Sequence, residues 1–345
     1  VAVTSGSGSV TIDNTHPTLV IAMTSGAQNG NGVTHGIVGD IISLAITSSE
    51  TITAVPTCTF GGEAASSASG SGTSWTVTRT LDGSEGAGTL AISCSSYSDS
   101  AANAGVTDTT VNSGQVTTDF TAPTVAITVA GATSGAYGTS TTYVVTVTPS
   151  EALSAVPTLS VTGGTITTAG AASGSNYAYT ITPTDNDEAM SLTVAVGGAE
   201  DAAGNTNTAA SDSGSPYAWT HDATVPTVAI TATEANDGDT DNDATLSLTF
   251  TLSEVATNFA TGDVDVTGGT IGAISGSGTT YTATFTPTAG ASSVTTIDVA
   301  AEGFTDAVGN NNAAAPQFVY YNDQVSPSVT IAAAEANTGE TDNDA

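Results

Sequence analysis

The chain is 345 residues long and carries 33 Asp and Glu against a single cation, Arg79, for a formal net charge of −32. Such a polyanion repels nucleic acid, anionic membrane surfaces and other copies of itself, so nucleic-acid binding is excluded. No apolar run approaches the roughly 18 residues needed to span a bilayer, and membrane insertion is not expected.

Only 10% of the residues are charged, and Val, Ile, Leu and Thr recur in alternation, which favours folded β-structure over acidic disorder. The sequence opens at Val1 with neither Met nor a leader-like start, and reads as a processed product or a window on a longer protein. Its first landmark is Asp13-Asn-Thr-His-Pro17, an Asp followed four residues later by Pro and then by an apolar β-type run. The pattern returns at Asp119, Asp222 and Asp323, at spacings of 106, 103 and 101 residues. One domain of about a hundred residues is therefore repeated in tandem. The expected boundaries are 1–13 for the last strand of a preceding repeat, 14–119, 120–222 and 223–323 for three complete repeats, and 324–345 for the first strand and loop of a following one.

Three further landmarks keep register inside each repeat. A Ser-Glu pair follows the second predicted strand at Ser49-Glu50, Ser150-Glu151 and Ser253-Glu254. A Gly-Gly turn falls at Gly61-Gly62, Gly163-Gly164 and Gly268-Gly269, and a late loop at Asp99-Ser-Ala-Ala-Asn103, Asp201-Ala-Ala-Gly-Asn205 and Asp306-Ala-Val-Gly-Asn310. In the third repeat strands are expected over 227–233, 245–252, 263–267, 270–274, 280–286, 295–300 and 317–321. Tyr281, Ala283 and Phe285 alternate with Thr282, Thr284 and Thr286, the period of a half-buried strand, and no helical period of useful length appears. Short strands separated by turn signals make the fold all-β: a tandem array of antiparallel immunoglobulin-like β-sandwiches, about seven strands each. Cys58 and Cys94 share the first repeat, each near a strand end, and stand either as one bridge or as two buried thiols; the separation of their Cβ atoms decides.

In an up-and-down sandwich the first strand starts, the second ends and the last begins at one pole. Each junction then gathers a linker Asp, a Glu, a loop Asp and a nearby Asn carbonyl. The sets are Asp13, Glu50, Asp99 and Asn103; Asp119, Glu151, Asp201 and Asn205; and Asp222, Glu254, Asp306 and Asn310. Carboxylates held together without a cation repel one another, whereas clustered hard oxygen donors suit Ca²⁺. A solvated acidic rim is the alternative; recurrence at matched positions favours calcium. The loop 234–243 adds Asp237, Asp239, Asp241 and Asp243 at alternate positions, at the opposite pole of the third repeat and facing Asp323. It resembles the start of an EF-hand loop, but Leu248 stands where the bidentate Glu belongs and Asn242 where the loop Gly belongs, so an EF-hand is excluded. Residues 335–344 repeat the pattern with Asp342 and Asp344.

The Asp-x-x-x-Pro-Thr-Val opening, the Ser-Glu pair and Asp-Ala-Ala-Gly-Asn resemble the bacterial immunoglobulin-like repeats of giant secreted adhesins, including RTX-type biofilm adhesins. The resemblance implies a non-enzymatic, extracellular, cell-surface extender that holds a terminal binding domain away from the cell, with calcium stiffening the junctions between adjacent repeats. The first repeat departs from the pattern, with Ala102 where the others have Gly and His16 before its Pro. The competing expectation is a filament or surface-layer subunit whose terminal half-domains are completed by neighbouring subunits through strand exchange. Enzymatic sites find no support: His16 and His221 belong to different junctions, and the Gly-rich stretches precede strands, not helices.

Overall fold

The computed structural model describes residues 12–26, 35–173, 175–208, 216–290 and 292–331. The expected strand within 1–13 and the acids Asp342 and Asp344 thus fall mostly or wholly outside the described residues. Apart from one 3-10 turn, Thr261–Asp263, every regular element described is a β-strand. By contacts the chain divides into two compact units, Val1–Ala136 with Thr141–Thr220, and Tyr137–Ser140 with His221–Ala345.

In the first repeat one sheet runs in the order Leu19–Gly26, Ile41–Ser48, Ser74–Thr80, Ser67–Ser71. Its inward residues Ile42, Leu44, Ile46 and Val77 are almost fully buried while the alternate positions are mainly Ser and Thr, with Ala45 and Ile41 among them, so period-two patterning sorts the two faces. They pack with Phe60 and Ile92 from the strands Thr57–Phe60 and Ile92–Ser95. Cys58 and Cys94 stand opposite each other in that pair and are bridged, which settles the alternative left open by the sequence. Arg79 lies at the inner edge, with Nε 2.7 Å from Glu85 Oε1 and a terminal nitrogen 2.9 Å from Asp82.

The second repeat builds its first sheet from Val125–Ala130, Tyr143–Pro149, Asn176–Pro183 and Gly164–Ser173, and its second around Leu159–Thr162, Glu188–Val194 and Tyr217–His221. Ile127, Val145, Ile181, Leu192 and Trp219 fill the space between them, with the Tyr143 ring edge-on to Trp219 at 5.0 Å.

The third repeat has the same plan. Val228–Ala232, Leu246–Leu252 and Thr280–Pro287 form one sheet, extended by Gly269–Ile271 and Ser275–Ser277; Val264–Thr267, Ser292–Val299 and Phe318–Asp323 form the other. Phe250, Phe285, Phe304 and Ile297 occupy its core. Two details differ from expectation. The predicted strand 270–274 is split into two short pieces that both pair with Thr280–Pro287. A short strand, Thr240–Asp241, runs parallel to Phe318–Asp323, and Asp237 holds this loop in place by accepting the Val319 N–H at 2.7 Å. Of the expected following repeat, 324–345, the described residues 324–331 carry no strand and the rest lie outside the described residues.

The Gly-Gly turns have a steric cause. Gly61, Gly163 and Gly268 take φ of 56°, 77° and 73°, and a Cβ on Gly61 or Gly163 would sit 2.3 or 2.5 Å from a backbone oxygen of Glu85 or Ala189.

Candidate metal centre

Antiparallel pairing of the first two strands brings the acids together. Leu19 pairs with Ser48, Val125 with Pro149 and Val228 with Leu252, so the start of each first strand lies beside the end of the second, where the Ser-Glu pair sits. Isolated bridges between Ile52 and Asp99, Leu153 and Asp201, and Ala256 and Asp306 then bring the late loop next to the residue two past the Glu. In each of three groups, Asp13, Glu50 and Asp99; Asp119, Glu151 and Asp201; and Asp222, Glu254 and Asp306, one carboxylate oxygen per residue lies within 4.8 Å of the others.

Local hydrogen bonds fix each member. The linker Asp closes an Asx turn: Asp13, Asp119 and Asp222 accept the N–H of Thr15, Thr121 and Thr224, each at 3.0 Å. The Ser of the Ser-Glu pair ties strand two to strand one, because the Oγ of Ser49, Ser150 and Ser253 accepts the N–H of Thr18, Thr124 and Thr227 at 2.9 to 3.0 Å. The residue after each linker Pro is thereby locked to the residue before each Glu.

The loop Asp is buried and saturated on one side. Asp201 Oδ1 accepts from the N–H of Ala203, Gly204 and Asn205 at 2.7 to 2.9 Å, and Asp306 Oδ1 does the same with Val308, Gly309 and Asn310. Burial pushes the Asp99 and Asp306 carboxyls up, but side-chain and backbone N–H donors, Asn103 and Asn310 foremost, outweigh it and hold both below the usual range. The Glu moves the other way. Burial, then the neighbouring acids, raises Glu50 (Asp13, Asp99) and Glu151 (Asp201, Asp119), with His16 partly offsetting the rise at Glu50.

The Asn residues take a different role from the carbonyl donors expected. Asn103, Asn205 and Asn310 each place Nδ2 2.8 to 2.9 Å from Oδ2 of the loop Asp and 3.1 Å from the backbone oxygen of the linker Asp. Two acceptors face that atom, so it must be the amide nitrogen. The Asn is a latch between loop and linker, and its side-chain oxygen is not the atom facing the Asp.

The acidic loop of the third repeat does not converge as expected. Asp237 is engaged with Val319, Asp239 accepts the backbone and side-chain N–H of Asn236 at 2.8 and 2.9 Å, and Asp241 accepts from Asn242. The loop does reach the linker, since Gln324 donates to the Asp243 carbonyl at 3.1 Å, but among the described residues Asp237, Asp239, Asp241, Asp243 and Asp323 form no group of three convergent carboxylates. Asp239 and Asp241 serve local turns and Asp237 the neighbouring strand, which an alternating sequence pattern does not reveal.

Two positions escaped the sequence reading. Asn207 and Asn312, two residues past the latch, are buried and clamp the loop base: their Oδ1 atoms accept the N–H of Ala199 and Phe304, and their amides donate to Ala195 and Ala300. The shared Asn-x-Asn spacing was the available signal. The first repeat has Gly105 there, and a Cβ would lie 1.9 Å from the Tyr97 ring, so an aromatic braces that loop instead.

The bacterial Ig-like domain family matches residues 119–217 and again 222–322. No curated protein matches the chain. Among solved structures, the titin fragment I67–I69, an E-to-A mutated variant, superposes with a TM-score of 0.40 at 12% identity over 89% of this chain and 98% of its own. Invasin, a bacterial integrin-binding protein, gives 0.33 at 14% over 81% and 56%, and a marsupial T cell receptor 0.33 at 10% over 88% and 100%.

Proposed function

Because this chain belongs to the bacterial Ig-like domain family, we propose that it is a non-enzymatic extender region of an extracellular cell-surface adhesin whose domain junctions are stiffened by calcium. The observation that carries the reading is the threefold recurrence of a linker Asp, a strand-end Glu and a loop Asp within 4.8 Å, in a chain with one cation. The donor set fits a hard cation that takes six to eight oxygens. Glu50 Oε1 is buried with no hydrogen-bond partner, as an oxygen reserved for an ion would be. Oδ1 of the loop Asp is spent on amides, so the loop Asp would offer Oδ2, the Glu a carboxylate oxygen, the linker Asp the oxygen outside its Asx turn, and water the remaining positions.

Each linker Asp belongs to the segment that joins two repeats, whereas the Glu and loop Asp belong to the repeat that follows. A cation shared among them replaces mutual repulsion with a tie across the linker and couples binding to folding. The buried disulfide of the first repeat suits an oxidising, extracellular compartment. Small-angle scattering and thermal melting, each with calcium and then with chelator, test the proposal. Calcium is expected to narrow the distribution of maximum dimensions and to raise the melting temperature; no change in either overturns it.

A further inference from the structure

Every carboxylate of a junction cluster belongs to the linker or to the repeat that follows it: Asp119 to the linker, Glu151 and Asp201 to the second repeat. A cation there ties the linker forward but does nothing to hold it to the repeat behind. Domains joined by a short segment move relative to one another unless another contact fixes them, so a stiff junction needs a second tie. The residue after the linker Asp supplies one in two places. Phe120 is half-buried against the core of the first repeat, over the backbone at Gly83, where an added Cβ would lie 4.0 Å from its ring. Gln324, the residue after Asp323, grips the third repeat instead by hydrogen bonds: its amide donates to the Asp243 carbonyl at 3.1 Å and its Oε1 accepts the Gly290 N–H at 3.4 Å. Ala223, in the corresponding place after Asp222, offers only a methyl.

We propose that Phe120 is a metal-independent anchor of the linker on the first repeat, and that a rigid junction between the first two repeats requires it. The proposal rests on the calcium reading only for the forward tie. The backbone places the anchor where it can act. The Asp119 N–H donates to the Gly36 carbonyl of the first repeat at 3.0 Å, and the Asp119 carbonyl accepts from Asn205 of the second at 3.1 Å. One residue thus touches both repeats, and the next one carries the ring. Repeat-on-repeat packing does not replace it. The first repeat and most of the second lie in one compact unit, yet a cleft of about 510 Å³ is lined by Ile37 and Phe120 and by Gly204, Asn205 and Thr206 of the latch loop. The anchoring contact is apolar, gained by taking an aromatic ring out of water, so neither chelator nor salt screening removes it.

Double electron–electron resonance on the full chain tests it, with nitroxide-bearing unnatural residues in place of exposed Ser69 in the first repeat and Thr165 in the second, since both cysteines are bridged. Distances are read in calcium and again in chelator. The parent is expected to give one narrow peak in calcium. Phe120→Ala, which makes the linker like that at Ala223, is expected to lose that peak in both solutions, and Phe120→Leu to keep it. Circular dichroism verifies folding; should Phe120→Ala not fold, Phe120→Asn, the residue that follows Asp13, reads the same loss. A folded variant as narrow as the parent in either solution overturns the proposal, and so does a parent that is broad in both. A parent narrow in both solutions with a broad variant supports the anchor even where the calcium reading fails, because that reading is judged by the parent's response to chelator and the anchor by the difference between parent and variant.

Discussion

One backbone dihedral separates the first repeat from the others. Gly204 and Gly309 precede the latch Asn with φ of 103°, whereas Ala102 is held at 70° in the same place. The turn needs this conformation because three successive N–H groups must converge on one Asp oxygen, and an L-residue there carries roughly 1–2 kcal/mol of strain. Ala102→Gly is expected to stabilise the first repeat by about 0.5–1 kcal/mol, the relief being partly offset by the extra freedom of Gly in the unfolded chain. The reciprocal change, Gly309→Ala, should destabilise the third repeat by about 1 kcal/mol. A Cβ there meets nothing within 4 Å, so that change isolates the backbone term. Denaturant melts of both variants in chelator check the pair; equal signs would show that the dihedral is not what distinguishes the loops.

At the level of elements, the disulfide and the Arg79 network set the first repeat apart. Cys58 and Cys94 close a loop of 36 residues in sequence, a constraint on the unfolded chain worth about 4 kcal/mol. Replacing both by Ser is expected to lower the melting of the first repeat by about 10 °C or more and leave the other transitions in place. Calorimetry of the full chain reads this directly, and a uniform shift of all transitions would contradict it. The sandwich strands were legible because they rest on local causes: alternation at Tyr281 to Thr286, and steric exclusion of Cβ at Gly61 and Gly163. The grouping of linker Asp, Glu and loop Asp followed from topology alone, since antiparallel strands fix which ends share a pole. What was not legible depends on orientation. The sequence shows an Asn near an Asp, but only the two acceptors around Nδ2 reveal that Asn205 is a latch. Likewise, alternating acids in 237–243 look like a ligand set until the hydrogen bonds show that Asp237 and Asp239 are consumed by backbone and Asn donors.

Over the whole molecule, opposite proton affinities within the junction clusters produce a pH signature. Glu50 and Glu151 have raised pKa values, from burial and then from neighbouring acids, so the folded chain binds their protons more tightly than the unfolded chain does. Their protonated form therefore favours folding, and calcium-free stability falls as pH rises from the ordinary value of 4.5 through the raised ones. Asp99 and Asp306 act in the opposite sense: held below their ordinary 3.8, they contribute stability above that value that is lost as pH falls through the lowered one. Calcium-free stability is thus expected to peak near pH 4 and decline towards neutrality. A cation needs the carboxylates ionised, so its stabilisation grows across the same interval in which the free chain weakens. Melting with calcium and with chelator from pH 4 to 8 should give curves that diverge as pH rises. General self-repulsion of the polyanion would also weaken the free chain with pH, and Glu50→Gln with Glu151→Gln separates the two causes. If the clusters are responsible, that variant flattens the calcium-free slope and shrinks the calcium-induced gain together; a slope left unchanged assigns the effect to net charge.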